Sequence, residues 1–220
     1  ASGEEHLDVA IVLNNLALNY SFQFLYKKSE SHLMRSLKIF EKTLGPEHHH
    51  VSFPLTNLAD LYRDQGLYKK AAALYLRALA ISEESVGTES QDVGTILNNL
   101  AALYWDQGLL NKAELSLLRS LAIREQGYGN EHVETARVLS NLGSLFENQG
   151  LYSKARPFNR RAFEIDLLHV QMEVPYLRLS ERQIFMDTHI SSEYVFTDSL
   201  RDDSGANLAM FIRLNRQGLL

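Results

Sequence analysis

Four asparagines stand at a constant interval in this 220-residue chain: Asn15, Asn57, Asn99 and Asn141, 42 residues apart. An asparagine side chain offers a carbonyl acceptor and two amide donors, which is what holding the main chain of an extended peptide requires. Three further columns share the interval and, by helical periodicity, roughly the same helix face. Four positions before the asparagines lie Ile11, Phe53, Thr95 and Arg137; three after lie Leu18, Asp60, Ala102 and Ser144; seven after lie Phe22, Asp64, Asp106 and Asn148. A constant polar column would grip peptide units while the varying columns choose side chains. The candidate peptide-binding residues are therefore Asn15, Asn57, Asn99 and Asn141 with Phe53, Asp60, Asp64, Thr95, Ala102, Asp106, Arg137, Ser144 and Asn148. The alternative is that the asparagines tie neighbouring helices together and bind nothing.

Other chemistry is less well supported. His48, His49 and His50 could hold zinc or nickel weakly, but adjacent side chains converge on one tetrahedral centre only with contortion, and no carboxylate lies at a convincing ligand spacing. His6, His48 and His132 also share one repeat column, so no metal site and no cofactor is expected. Lys28, Lys70, Lys112 and Lys154 form a regular column that reads as solvated. Arg156, Arg160 and Arg161, with Arg137, form a basic cluster suited to an acidic partner, and Asp60, Asp64 and Asp106 place negative charge further back along the same surface. Serines and glutamates fall on repeat columns without a nucleophile and base pairing, and there is no glycine-rich phosphate loop, so the chain is not expected to be an enzyme.

Composition narrows the class. With 22 basic against 27 acidic side chains there is no electrostatic case for nucleic acid. No apolar run approaches 18 residues, so no membrane partner is expected. The absence of cysteine excludes disulfides and thiolate sites and is compatible with a reducing, cytoplasmic compartment.

The elements that carry these columns are helical hairpins. Leu97 to Tyr104, followed by Asp106, Gln107 and Gly108, repeats Leu55 to Tyr62 with Asp64, Gln65 and Gly66, and two looser copies flank them. Four units follow, 7–48, 49–90, 91–132 and 133–174, each an inner and an outer helix. In the first, the inner helix is placed at Ile11 to Tyr20 and the outer at about Lys28 to Lys42. Ser52 is the expected cap of the second inner helix, with Pro54 tolerated in its first turn. Small residues such as Ala71 and Ala78 let paired helices approach closely, and Tyr62 or Tyr75 fills the wider gap. The first unit is the poorest copy: Phe24 stands where Gly66, Gly108 and Gly150 stand later, and Asn19 replaces a leucine. In the fourth, Asn159 occupies the column of Tyr75 and Leu117. From Pro175 the register is lost, and 175–220 reads as a helical capping or linker segment, with Phe211 and Ile212 on its apolar surface. Both ends suggest a piece of a longer protein.

Leu58, Ala59, Tyr62, Gly66, Ala71, Tyr75 and Ala78 together resemble the tetratricopeptide repeat. The 42-residue period with LNNLAALY and LGPEH is similar to the subclass of kinesin light chains and nephrocystin-3-like proteins. The resemblance implies an all-α fold, a right-handed superhelical α-solenoid of stacked hairpins. In kinesin light chains groove asparagines hold peptide cargo, and the matching residues here are Asn15, Asn57, Asn99 and Asn141. Chaperone-binding relatives instead need groove lysines for a C-terminal carboxylate, and the column Ile11, Phe53, Thr95, Arg137 does not supply them. LSERQIFMDT and ANLAMFIRLNRQGLL resemble the segment that joins such repeats to a caspase-like CHAT protease domain in bacterial proteins. The expected function is a protein–protein interaction module with a peptide in its groove, the partner-binding arm of a larger protein with a missing C-terminal effector domain. The competing expectation is a structural scaffold, or a homodimer formed through the C-terminal segment.

Overall fold

The structure, a computed structural model, describes residues 6–173. The expectations placed on 175–220, including self-association through Phe211 and Ile212 and the linker to a protease domain, lie outside the described residues. Eight α-helices occur among the described residues: α1 Leu7–Phe22, α2 Tyr26–Leu44, α3 Ser52–Asp64, α4 Tyr68–Val86, α5 Gln91–Asp106, α6 Leu110–Tyr128, α7 Val133–Asn148 and α8 Tyr152–Glu173, with a short 3-10 turn, His49–Val51, ahead of α3. No strand occurs among the described residues. Within the compact unit Ala1–Asn159, α1 packs on α2, α3 on α4 and α5 on α6, and each pair meets the next through α2 on α3, α4 on α5 and α6 on α7. The fold is an α-solenoid of helical hairpins.

The helices extend past the expected spans, α1 over Leu7–Phe22 and α2 over Tyr26–Leu44, and their ends are set in part by backbone turns. Leu25, Leu67 and Leu109 precede the outer helices without a side-chain cap. The inner helices α3, α5 and α7 end in a reverse turn at Gly66, Gly108 and Gly150, each with φ of 70–71°. There the next amide reaches back five residues, as in Leu67 N–H to Tyr62 O at 2.8 Å, which satisfies a carbonyl the helix leaves open. Phe24 makes the same turn at φ 59°, with Leu25 N–H to Tyr20 O at 2.9 Å. A side chain is thus held in the left-handed region that the later units reserve for glycine.

Ser52 does not cap α3. Its hydroxyl donates to His49 O at 2.6 Å, and the start of the segment is held by His48, whose Nδ1 accepts from His50 N–H at 3.2 Å. His6 and His132 do the same for α1 and α7, accepting from Asp8 N–H and Glu134 N–H, and in the third unit Ser90 Oγ accepts from Val93 N–H. The histidine column is therefore a capping column: Nδ1 occupies the place a serine oxygen takes elsewhere.

Close approach within a hairpin follows the small residues. Ser36 Oγ donates to Ala10 O at 2.7 Å and Ser120 Oγ to Gly94 O at 2.7 Å, bonds from outer to inner helix that larger side chains would hold apart. Around these crossings Ala59, Ala71, Ala78, Leu55, Leu103 and Tyr75 are fully buried and join Phe40, Ile81 and Ile96 in one core that runs from the first hairpin into the third. Each large apolar side chain so buried contributes about 1.5–3 kcal/mol.

Candidate functional site

Inner helices α1, α3 and α5 lie side by side and leave a concave pocket of about 260 Å³ between them. Its lining comprises Asn14, Ser52, Phe53, Thr56, Asn57, Asp92, Thr95, Ile96 and Asn99. Four of the residues selected by periodicity, Phe53, Asn57, Thr95 and Asn99, thus meet in one place. Phe53 remains 40% exposed, an aromatic wall open to solvent. The other five lining residues, Asn14, Ser52, Thr56, Asp92 and Ile96, were not among the groove candidates. Asn14 and Thr56 sit one position before the asparagine column and line the same hollow.

The asparagines also bond across the array. Asn57 Nδ2 donates to Asn14 Oδ1 at 2.8 Å and Asn141 Nδ2 to Asn98 Oδ1 at 2.8 Å, whereas Asn99 Nδ2 donates to Asp60 Oδ2 at 3.3 Å. The second unit has Thr56 where the others offer Asn14 and Asn98, so Asn99 takes the carboxylate instead. Each of these amides spends one donor on its neighbour and retains a carbonyl and a second N–H. Asn15 is exposed and is not in the pocket lining.

The acidic column is largely neutralised. Arg63 lies 4.0 Å from Asp60, 3.4 Å from Asp64 and 3.6 Å from Asp106, so one guanidinium bridges three carboxylates. Tyr75, buried under this group, gives its hydroxyl proton to a short bond with Asp60. Burial raises the Asp60 pKa above the ordinary carboxylate value, against the opposing pull of the Tyr75 hydroxyl and Arg63. The Tyr75 phenol is raised by burial and by the Asp60 charge. Burial alone would lower Arg63, but Tyr75 and the three aspartates outweigh it and hold the guanidinium charged. Negative charge along this surface is therefore smaller than the residue types alone suggest. Further along, Arg137 pairs with Glu134 on its own helix, and Ser144 and Asn148 are exposed while Ala102 is half-buried. In the separate unit Arg160–Leu220, Arg160 pairs with Glu164 at 3.0 Å.

Three features escaped sequence reasoning. The lysine column is not simply solvated: Lys28, Lys70, Lys112 and Lys154 each sit over an aromatic ring of the preceding inner helix, Tyr20, Tyr62, Tyr104 and Phe146, at 5.1–5.7 Å. The signal was present, since the aromatic column has the same interval as the lysines. Arg124 is 2% exposed and donates to Gln91 Oε1 at 2.7 Å and Thr95 Oγ1 at 2.6 Å, while its Nε has no partner. It packs beside Gly94, where an added Cβ would lie in ordinary contact with the guanidinium at 3.5 Å and closer, at 3.1 Å, to Ile123 Cγ2. The three histidines also converge more closely than their adjacency suggested, with ring centroids 4.1–5.1 Å apart.

A row of helical hairpins with an inner-helix pocket defines a helical-repeat protein. The tetratricopeptide repeat model matches residues 8–84 and 92–167, and the chain belongs to the tetratricopeptide repeat family. Arrays of this family are generally protein–protein interaction modules. No curated protein matches the chain. Among solved structures, BtubC (BKLC) from P. vanneervenii is similar at 24% identity and a TM-score of 0.66, over 74% of this chain and 66% of that one. The chain thus spans just under two thirds of that protein. A Podosopora anserina protein with nearly identical TPR-like repeats, assigned as a kinesin light chain, is similar at 19% identity and a TM-score of 0.63, over 97% of this chain and 98% of that one. The apo form of RapI is similar at 17% identity and a TM-score of 0.65, over 96% and 82%. At these identities the likeness concerns the fold.

Proposed function

We propose that the chain is the partner-binding arm of a larger protein and takes an extended peptide along α1, α3 and α5. The observation that carries this is the pocket in which Asn57 and Asn99 stand beside Phe53 and Thr95. The amides keep a donor and an acceptor each for peptide units, and the open Phe53 ring accepts an apolar or aliphatic side chain. The units are taken as 7–48, 49–90, 91–132 and 133–174, of the 42-residue kinesin-light-chain type, with 175–220 as a capping or linker segment. The chain is read as a cytoplasmic binding module, not an enzyme. The bonds from Asn57 to Asn14 and from Asn99 to Asp60 favour a second, structural role for the same side chains.

A random peptide library displayed on phage, selected against the full chain, tests this reading. Recovered peptides are expected to lose binding to Phe53→Ala and to Asn57→Ala/Asn99→Ala at unchanged circular dichroism. Peptides that bind both variants as well as the parent chain, or a library that yields none, would overturn it. The Phe53 variant separates lost contact from lost scaffolding, because Phe53 takes no part in the amide bonds.

A further inference from the structure

We propose that His48, His49 and His50 form a binding site for one divalent ion of the imidazole-preferring metals, zinc, nickel or copper. The site lies at the corner between α2 and α3 and is independent of the peptide reading. Each residue presents a ring nitrogen, and the three nitrogens lie within 4.8 Å of one another. Imidazole nitrogens around a tetrahedral zinc, each about 2.0–2.1 Å from the ion, stand about 3.4 Å apart. Coordination would draw the three nitrogens together by about 1 Å from their present spacing.

The turn supplies the convergence that a straight segment would not. His48 is extended, with ψ 138°, and the chain then coils into the 3-10 turn His49–Val51, which folds the following imidazoles back toward the first. The rings of His48 and His49 stack at 4.4 Å, and the His50 ring is flanked by Phe40 at 6.1 Å and Phe53 at 5.5 Å. All three histidines are half-buried. A set of donors already ordered by packing loses less entropy on coordination than three exposed side chains would. Three neutral nitrogen donors leave a fourth position for water, and imidazole suits zinc, copper and nickel, whereas calcium and magnesium prefer oxygen. No other group of three or more such ligands occurs among the described residues.

His48 carries the cost. Its Nδ1 accepts the His50 amide, so in the neutral ring Nε2 holds the proton. Coordination through Nε2 moves that proton to Nδ1 and gives up the bond to the amide. His48 thus either caps the turn or ligates, and metal occupancy and the cap are alternatives.

Calorimetric titration of the full chain with zinc, nickel and copper(II) at neutral pH, each alone, tests the site, together with the melting temperature with and without each metal. The expected result is one ion per chain, a raised melting temperature, and binding weakened at least about tenfold in His49→Ala/His50→Ala. His48→Ser should also weaken binding while keeping the metal-free melting temperature, because serine caps the same column at Ser90. His132→Ser, in the same column without neighbouring imidazoles, should bind as the parent does. Binding that survives the double substitution, no saturable binding below about 1 mM, or an ion that binds without raising the melting temperature would overturn the site.

Discussion

At the scale of single residues, two side chains sit where their chemistry is least comfortable. Phe24 occupies the left-handed region at φ 59° and is 76% exposed, so its strain is offset by little packing. An L-residue in that region costs about 1–2 kcal/mol, of which glycine gives back part through its greater freedom in the unfolded chain. Phe24→Gly is therefore expected to stabilise the chain by about 0.5–1 kcal/mol in urea denaturation. Asp60 is the second. Burial lifts its carboxyl above the unfolded value of 3.8, so the folded chain holds this proton more tightly than the unfolded one. The protonated form's contribution is fully present below that unfolded value and is lost as pH rises through the raised folded value. The stability of the parent chain relative to Asp60→Asn should accordingly decline as pH is raised from about 4 through that window, and a flat difference would show that Asp60 is not the buried acid described.

At the scale of elements, the fourth unit shows how one column adjusts another. Asn159 is 6% exposed and donates to Glu147 Oε1 at 2.8 Å, and its side chain occupies the space over Gly143. A Cβ on Gly143 would fall 1.5 Å from Asn159 Oδ1, whereas Ala59 and Ala101 hold that position opposite Tyr75 and Leu117. Gly143→Ala should thus destabilise by about 1–3 kcal/mol, and Gly143→Ala with Asn159→Leu, which copies the third unit, should recover most of it. Helix starts offer a parallel check. Replacing His132 by alanine removes the acceptor for Glu134 N–H and should cost about 1 kcal/mol by thermal or chemical denaturation, while His132→Ser should cost much less.

At the scale of the molecule, stability in such an array is the sum of hairpin terms and nearest-neighbour contacts. Substitutions in the first and fourth hairpins share no partner. Phe24→Gly and Gly143→Ala should therefore add within about 0.5 kcal/mol when combined, and a larger discrepancy in the double variant would reveal coupling along the row. Adjacent units couple through the packing of α2 on α3, α4 on α5 and α6 on α7 and through the shared core, to which the amide bonds between successive inner helices add.

What the amino-acid sequence determined by itself was the local order. Apolar residues at helical spacing, small residues where helices cross and glycine where the chain must reverse are properties of each unit, and they specify an all-α row of hairpins without reference to a neighbour. The columns also marked Phe53, Asn57, Thr95 and Asn99 as sharing a face. Only the tertiary structure decided what those faces meet. Which side chain of one inner helix reaches which of the next is set by the stacking of the hairpins, which brings Asn57 to Asn14; one unit on, Thr56 stands in the place of Asn14 and Asn99 bonds to Asp60. The same holds for Arg63, which meets Asp60 and Asp64 on its own helix but reaches Asp106 only because α5 stacks beside α3. The three histidines are the local counterpart: adjacency in the chain argued against convergence, and the short turn that follows His48 brings their nitrogens together.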